Sequence, residues 1–229
     1  MVRFACFNLT IMNQLAENIK DLKNIVKRGE GAFLEFKLKS NHPEKIIREV
    51  VAFANSNGGK LMIGISDDKE IKGLKYIDED EYIITKNIEK YIYPLIDYSV
   101  EKINVEGDKG VLIYDIKPSP FKPHFVDLSG NPEERKAYVR VEDKSIQASK
   151  EVREILKGQN KDKGYKFSFG KKEKTLMEFI DKNGKITVKE YSEIANIKKK
   201  DASRTIVLMV LAGVLKVLPH EIEDFYIAI

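Results

Sequence analysis

Glu30 and Glu35 stand five residues apart, Lys37 follows shortly after, and Asp67 and Asp68 come later in the chain. Carboxylates gathered beside a cationic side chain would suit a hard divalent ion such as Mg²⁺ or Mn²⁺ that activates water, with Lys37 on a phosphate. On a regular strand that spacing puts the two glutamates on opposite faces. They converge only if the chain bends at Gly29 and Gly31. Glu35 and Lys37 would equally serve as an ion pair that orients a sheet. Asn55-Ser56-Asn57-Gly58-Gly59 offers backbone N–H groups with little side-chain bulk, suited to an anion or to a tight helix-to-strand turn. No lysine-bearing phosphate loop is present, which argues against nucleotide hydrolysis. A third group is cationic: Lys198, Lys199 and Lys200, then Ser203, Arg204 and Thr205. Lysines there would hold phosphate, Arg204 suits a bidentate grip on guanine, and the hydroxyls suit phosphate or base edges. A solvated turn would use the same lysines.

The surrounding pattern predicts the elements that position these groups. Ala32–Lys39 alternates, with Leu34, Phe36 and Leu38 on one face and Phe33, Glu35, Lys37 and Lys39 on the other, the period of a half-buried strand. Ser40-Asn41-His42-Pro43 opens a helix striped with Ile46, Ile47, Val50, Val51, Phe53 and Ala54. Lys60–Ile65 is a buried strand in which Gly64 marks a bulge or a close backbone approach. A helix over Asp78–Ile96, strands over Tyr98–Val105 and Gly110–Lys117 joined at Glu106–Lys109, a strand over Ala137–Val141 and a helix over Lys150–Leu156 follow. Strands and helices mix without βαβ regularity, so the predicted class is α+β.

Gly158–Lys172 is polar and lysine-rich and reads as a linker. Its Tyr165, Phe167 and Phe169 suit base stacking or docking onto a domain. Beyond it come a helix over Glu173–Lys182, a strand at Ile186–Val188, helices over Lys189–Asn196 and Asp201–Ala212, and strands at Val214–Val217 and Phe225–Ile229. That is the order of a winged helix-turn-helix, whose third helix enters the major groove by its N-terminal end. The predicted division is an N-terminal extension with a helix from Asn13 (1–24), a mixed-sheet domain (25–157), a basic linker (158–172) and the small winged domain (173–229). Ile206–Ala212 is apolar all round. Some of Leu208, Met209 and Leu211 should therefore pack on the first domain or on a second copy, which favours a homo-oligomer.

Composition narrows the function classes. Cys6 is the only cysteine, and His42, His124 and His220 are scattered, which excludes a disulfide framework and a thiolate or histidine-rich zinc site. Of the net +4, Lys157 onward contributes 15 Lys and Arg against 10 Asp and Glu, while the first 156 residues carry 25 against 26. The basic excess sits in the C-terminal third, as a phosphate-binding part would have it. No stretch is apolar enough to span a membrane. Phe4–Ile11 after Arg3 lacks a cleavage pattern, so a non-targeted, cytoplasmic chain is expected, starting at Met1 or Met12.

Several segments together resemble a known family. Glu30-Gly31-Ala32-Phe33-Leu34-Glu35-Phe36-Lys37 resembles the opening motif of the Schlafen-type AlbA-like domain. Ala52–Gly59 resembles its second motif, and Ile63-Gly64-Ile65-Ser66-Asp67-Asp68 with Ile71-Lys72-Gly73-Leu74 its third. Tyr138-Val139-Arg140 and Ser145 resemble its late strand and turn. The resemblance covers about residues 25–157. It implies a DNA-binding domain of bacterial type, often followed by a winged helix, with Arg140 among the nucleic-acid contacts, in a transcriptional regulator that prefers DNA to RNA. It also implies an alternative. In Schlafen nucleases two glutamates and a later aspartate form a metal-dependent RNA-cutting site, and these map onto Glu30, Glu35 and either Asp67 or Asp68.

Overall fold

The alternation at Leu34–Lys37 forms β1, a strand of which Leu34, Glu35 and Phe36 are all buried. The computed structural model describes residues 19–105, 107–160, 165 and 168–229. Phe4–Ile11 with Cys6, Met12, most of the helix expected from Asn13, Glu106 and Phe167 lie outside the described residues. Two compact units divide the chain. One holds residues up to Pro120 with His124–Ser145, the other Phe121–Pro123 with Ile146–Ile229.

In the first unit, α1 (Ile19–Arg28) precedes β1, and α2 (Pro43–Asn55) joins β1 to β2 (Gly59–Ile63). Then come α3 (Ile77–Tyr91), β3 (Ile92–Tyr93), β4 (Tyr98–Asn104), β5 (Gly110–Ile116), β6 (Phe125–Val126) and β7 (Tyr138–Val141), which turns back into β8 (Lys144–Gln147). The main sheet has the order β1-β2-β5-β4. β1 and β2 are parallel, with Glu35 opposite Leu61, and the other pairs are antiparallel. One βαβ unit is therefore present, which the sequence pattern had not suggested. Pro43 occupies the first turn of α2, and His42 caps it without a side-chain bond.

Both faces of the sheet are covered, because successive strand residues alternate sides. Leu61, Ile63, Leu112 and Tyr114 pack with α2 and α3, whereas Leu34, Phe36, Met62 and Ile113 pack with Leu22, Ile25 and Val26 of α1. Gly64 makes the close approach expected of it: φ is +107°, and a Cβ there would stand 3.2 Å from Gly73 Cα.

The second unit comprises α4 (Lys150–Gln159), α5 (Lys171–Asn183), α6 (Val188–Ile194), α7 (Lys199–Leu211) and the antiparallel pair β9 (Leu215–Leu218) and β10 (Phe225–Ala228). The strand expected at Ile186–Val188 does not form. Thr187 caps α6 instead, its hydroxyl accepting from Glu190 N–H and Glu190 accepting from Thr187 N–H. The reciprocal cap outweighs the β-branched pattern, and only Ile186 pairs, with Tyr226. α4 packs against α7 within this unit. Leu211 approaches so closely that a Cβ on Gly158 would lie 2.5 Å from its Cδ1. Met209 is fully buried in the core with Leu176, Tyr191, Ile206 and Tyr226. α4, the helix expected over Lys150–Leu156 at the end of the first predicted domain, thus covers apolar surface of α7, one of the two partners expected there, although it groups with the second unit. Tyr165 docks on the end of α4, donating to Gly158 O at 2.9 Å.

The Tyr226 side chain is fully buried, and among the described residues its hydroxyl has no partner. Burial pushes its pKa up, with Asp224 adding to the effect. Tyr226→Phe is therefore expected to keep or raise stability, by up to about 1 kcal/mol. A urea-unfolding loss of comparable size would instead reveal a partner for the hydroxyl.

Candidate nucleic-acid interface

The exposed tip of α7 begins where Lys198 stands as its N-cap residue. Lys198, Lys199, Lys200 and Arg204 are exposed, and among the described residues none of them makes an ion pair. Helix periodicity sets Lys200 and Arg204 one turn apart on one face. Ser203 and Thr205 flank that face on either side and are buried. Ser203 donates to Glu151 Oε1 of α4 at 2.5 Å, and Thr205 accepts from Lys172 Nζ at 3.1 Å. The two hydroxyls expected at a nucleic-acid surface are thus taken internally, Ser203 by α4 and Thr205 by Lys172 of α5. Beside the tip, Lys171, Asp201, Arg204 and Leu208 are among the residues lining a hollow of about 650 Å³.

The second gathering lies at the start of β1, an edge strand. Gly29, at φ +84°, and the Gly31–Leu34 bridge turn the chain back, as convergence of the glutamates required. Glu30 then accepts from Phe36 N–H at 2.8 Å. Glu35 pairs with Lys37 and, at 2.6 Å, with Arg140. Arg140 also holds Glu49 at 2.8 Å and donates to Gly31 O at 3.0 Å, Leu34 O at 3.3 Å and Ser145 Oγ at 3.2 Å. Its guanidinium lies 5.0 Å from the Phe53 ring centre.

The Arg140 side chain is 1% exposed. Arg140 therefore clamps two carboxylates and a turn, and is not available as the nucleic-acid contact that had been expected. Its strand neighbours Val139 and Val141 point to the opposite face, so no local pattern signalled its burial. Glu49 was missed, although it sits on α2 at the margin of the apolar stripe, among Ile46, Val50 and Phe53.

Burial raises the Glu49 carboxyl above its ordinary value, and the charge of Glu35 adds to this, against the Ser145 hydroxyl, Lys37 and Arg140. Glu30 is raised too, chiefly by burial of its carboxyl, with the Phe36 amide opposing and Glu35 adding. Just above pH 4.5 the folded chain thus keeps protons that the unfolded chain has released. The stability this contributes is complete below that window and is lost as pH rises through the raised values. Urea midpoints of the native chain are expected to fall more between about pH 5 and about pH 7 than those of Glu49→Gln. Parallel profiles would contradict the shift at Glu49.

Mg²⁺ or Mn²⁺ does not fit the mapped residues as they are arranged. The Lys37 amine and the Arg140 guanidinium occupy the positions a cation would take. Asp67 and Asp68 lie exposed in a turn and do not join Glu30 and Glu35. Among the described residues no group of three His, Cys, Asp or Glu side chains is placed to hold a metal ion.

The segment Asn55–Gly59 is likewise committed internally. Asn55 Nδ2 donates to His124 O and Tyr138 O, each at 2.9 Å, and its Oδ1 accepts from His124 N–H at 2.7 Å. Ser56 Oγ accepts from Arg140 N–H, and the amides of Ser56 and Gly58 donate within the turn. A Cβ on Gly59 would lie 2.4 Å from the Phe53 ring. Of the two readings of this segment, anion cradle or helix stop, its contacts fit the helix stop, which ties α2 to β7.

The family model described as Schlafen, AlbA_2 matches residues 30–149. Among solved structures, the chain is similar to the N-terminal domain of a RecG-related protein from Nitrosomonas europaea. Identity is 23%, coverage is 55% of this chain and 89% of that one, and the TM-score is 0.41. It is also similar to a protein from Corynebacterium diphtheriae at 18% identity and TM-score 0.40, covering 68% of this chain but spanning only 28% of that one. No curated protein matches. Among the described residues no helix is long and apolar enough to cross a membrane.

Proposed function

This chain belongs to the Schlafen, AlbA_2 family, and from that premise we propose that it is a nucleic-acid-binding protein, a DNA-binding transcriptional regulator. In this reading α5, α6 and α7 with the β9–β10 pair make a winged helix-turn-helix, and α7 is the helix that enters the major groove. The observation that carries the reading is the tip of α7: four exposed cations, Lys198, Lys199, Lys200 and Arg204, without ion pairs among the described residues. Phosphates would satisfy the lysines, and Arg204 alone has the fork for guanine. Of the carboxylates the nuclease reading needs, Glu35 is paired with Arg140 and Lys37, which counts against that reading.

The β9–β10 turn shapes the approach of the duplex. It carries Glu221, Glu223 and Asp224, with Ile222 90% exposed between the glutamates. Phosphates would be repelled there, so DNA lies along α7 and away from the turn. Glu221→Gln with Glu223→Gln is expected to leave duplex affinity within about twofold. A large gain in affinity would put the turn on the DNA.

The test of the function is fluorescence anisotropy of the full chain on duplex fragments over a range of salt. Affinity should fall steeply with salt. Absent binding, or binding indifferent to salt, rejects the reading.

A further inference from the structure

The first unit holds a second cationic surface that the helix tip does not explain. An open groove of about 920 Å³ runs beside α1, rimmed by Lys23 and Lys27 of that helix, Lys69 and Lys72 of the loop after β2, and Lys109 of the turn before β5. All five lysines are exposed, and among the described residues Glu70 is the one acidic residue in the lining. Glu70 is already paired with Lys72. Among the described residues Lys23, Lys27, Lys69 and Lys109 make no ion pair. Lys69 takes φ +63°, and its amine lies so close over Gly29 that a Cβ there would stand 2.7 Å away. Its position brings the loop lysines to the same concavity as those of α1. Between the lysines lie the half-buried apolar side chains Ile71 and Val105, packed on the core that holds Val26.

We infer that this groove binds the backbone of single-stranded nucleic acid. Four uncompensated amines from three separate segments around one concavity match a run of phosphates. The apolar floor selects between strand states: a single strand exposes base faces that can cover Ile71 and Val105, whereas a duplex keeps its bases stacked inside. Among the described residues no aromatic platform lines the groove, so binding is modest, tolerant of sequence and strongly salt-dependent. The inference rests on the reading of the chain as a nucleic-acid binder but on residues separate from α7.

The experiment uses the full chain, a mixed-sequence single-stranded oligonucleotide and the matching duplex, followed by anisotropy across salt. Two exposed-surface variants are compared: Lys23→Gln/Lys27→Gln/Lys109→Gln, and Lys198→Gln/Lys199→Gln/Lys200→Gln. Unchanged circular dichroism and thermal midpoints establish that both are folded. The groove variant is expected to lose about tenfold or more in single-strand affinity at low salt and about 2 in log–log salt slope, leaving duplex binding unaltered. Single-strand affinity and slope equal to the native chain's would overturn the inference. So would vesicles of phosphatidylglycerol that bind through the same lysines while oligonucleotide fails to compete. If duplex binding is absent yet the groove variant still loses the single strand, the regulator reading falls and the groove stands. If duplex binding depends on the helix-tip lysines and the groove lysines change nothing, the groove falls alone.

Discussion

Arg140→Ala is expected to destabilise the chain by about 3–5 kcal/mol, the range found when one partner of a buried ion pair is removed. Arg140 is 1% exposed and sits between Glu35 and Glu49. Without it, the two carboxylates keep their burial and lose their shared cation, and Gly31 O and Leu34 O lose a donor. Arg140→Lys should recover less than half of the loss, because an ammonium cannot present the planar fork that spans both glutamates and the turn. Adding Glu35→Gln to Arg140→Ala should restore part of the stability, since it removes a charge left uncompensated. The defect should also shrink at acid pH, where Glu49, whose carboxyl is already raised, takes up its proton. Urea unfolding of the full chain measures all four. A loss below about 1 kcal/mol for Arg140→Ala would mean that the clamp does not hold this unit together.

The largest functional effect is expected from Lys198→Gln/Lys199→Gln/Lys200→Gln. Each lysine that neutralises a phosphate releases counterion, so three of them should account for about 3 in the log–log salt slope on duplex DNA. At about 0.1 M salt that corresponds to roughly two orders of magnitude in affinity, lost alike on all sequences. Arg204→Ala should act differently. It should relax discrimination at one base pair by about tenfold while changing the slope by no more than about 1. A triple variant with the affinity and slope of the native chain would remove the helix tip from the function.

Much of the organisation was legible in local pattern. The strands at β1, β2, β4 and β5, the apolar stripe of α2 and the helices and hairpin of the second unit follow from period, turn residues and caps, all of which act over a few residues. The bend that lets Glu30 approach β1 was legible as a requirement, since Gly29 and Gly31 stood where it had to occur. Local pattern misled at Ile186–Val188, where β-branched residues suggested a strand and the Thr187–Glu190 cap decided otherwise.

The sequence by itself determined which residues are cationic at the tip of α7, which faces of β1 and α2 are apolar, and that a family motif runs through the first unit. Only the tertiary structure decided what the polar residues do. Arg140 and Glu49 are 91 positions apart and Asn55 and His124 are 69 apart, so no local period relates them. Their burial depends on sheet and helices closing over the same edge. Ser203 and Thr205 lost their expected role for the same reason: Glu151 of α4 takes the first and Lys172 of α5 the second. Charge and periodicity are properties of a segment, whereas the partner of a buried polar group is a property of what folds back against it.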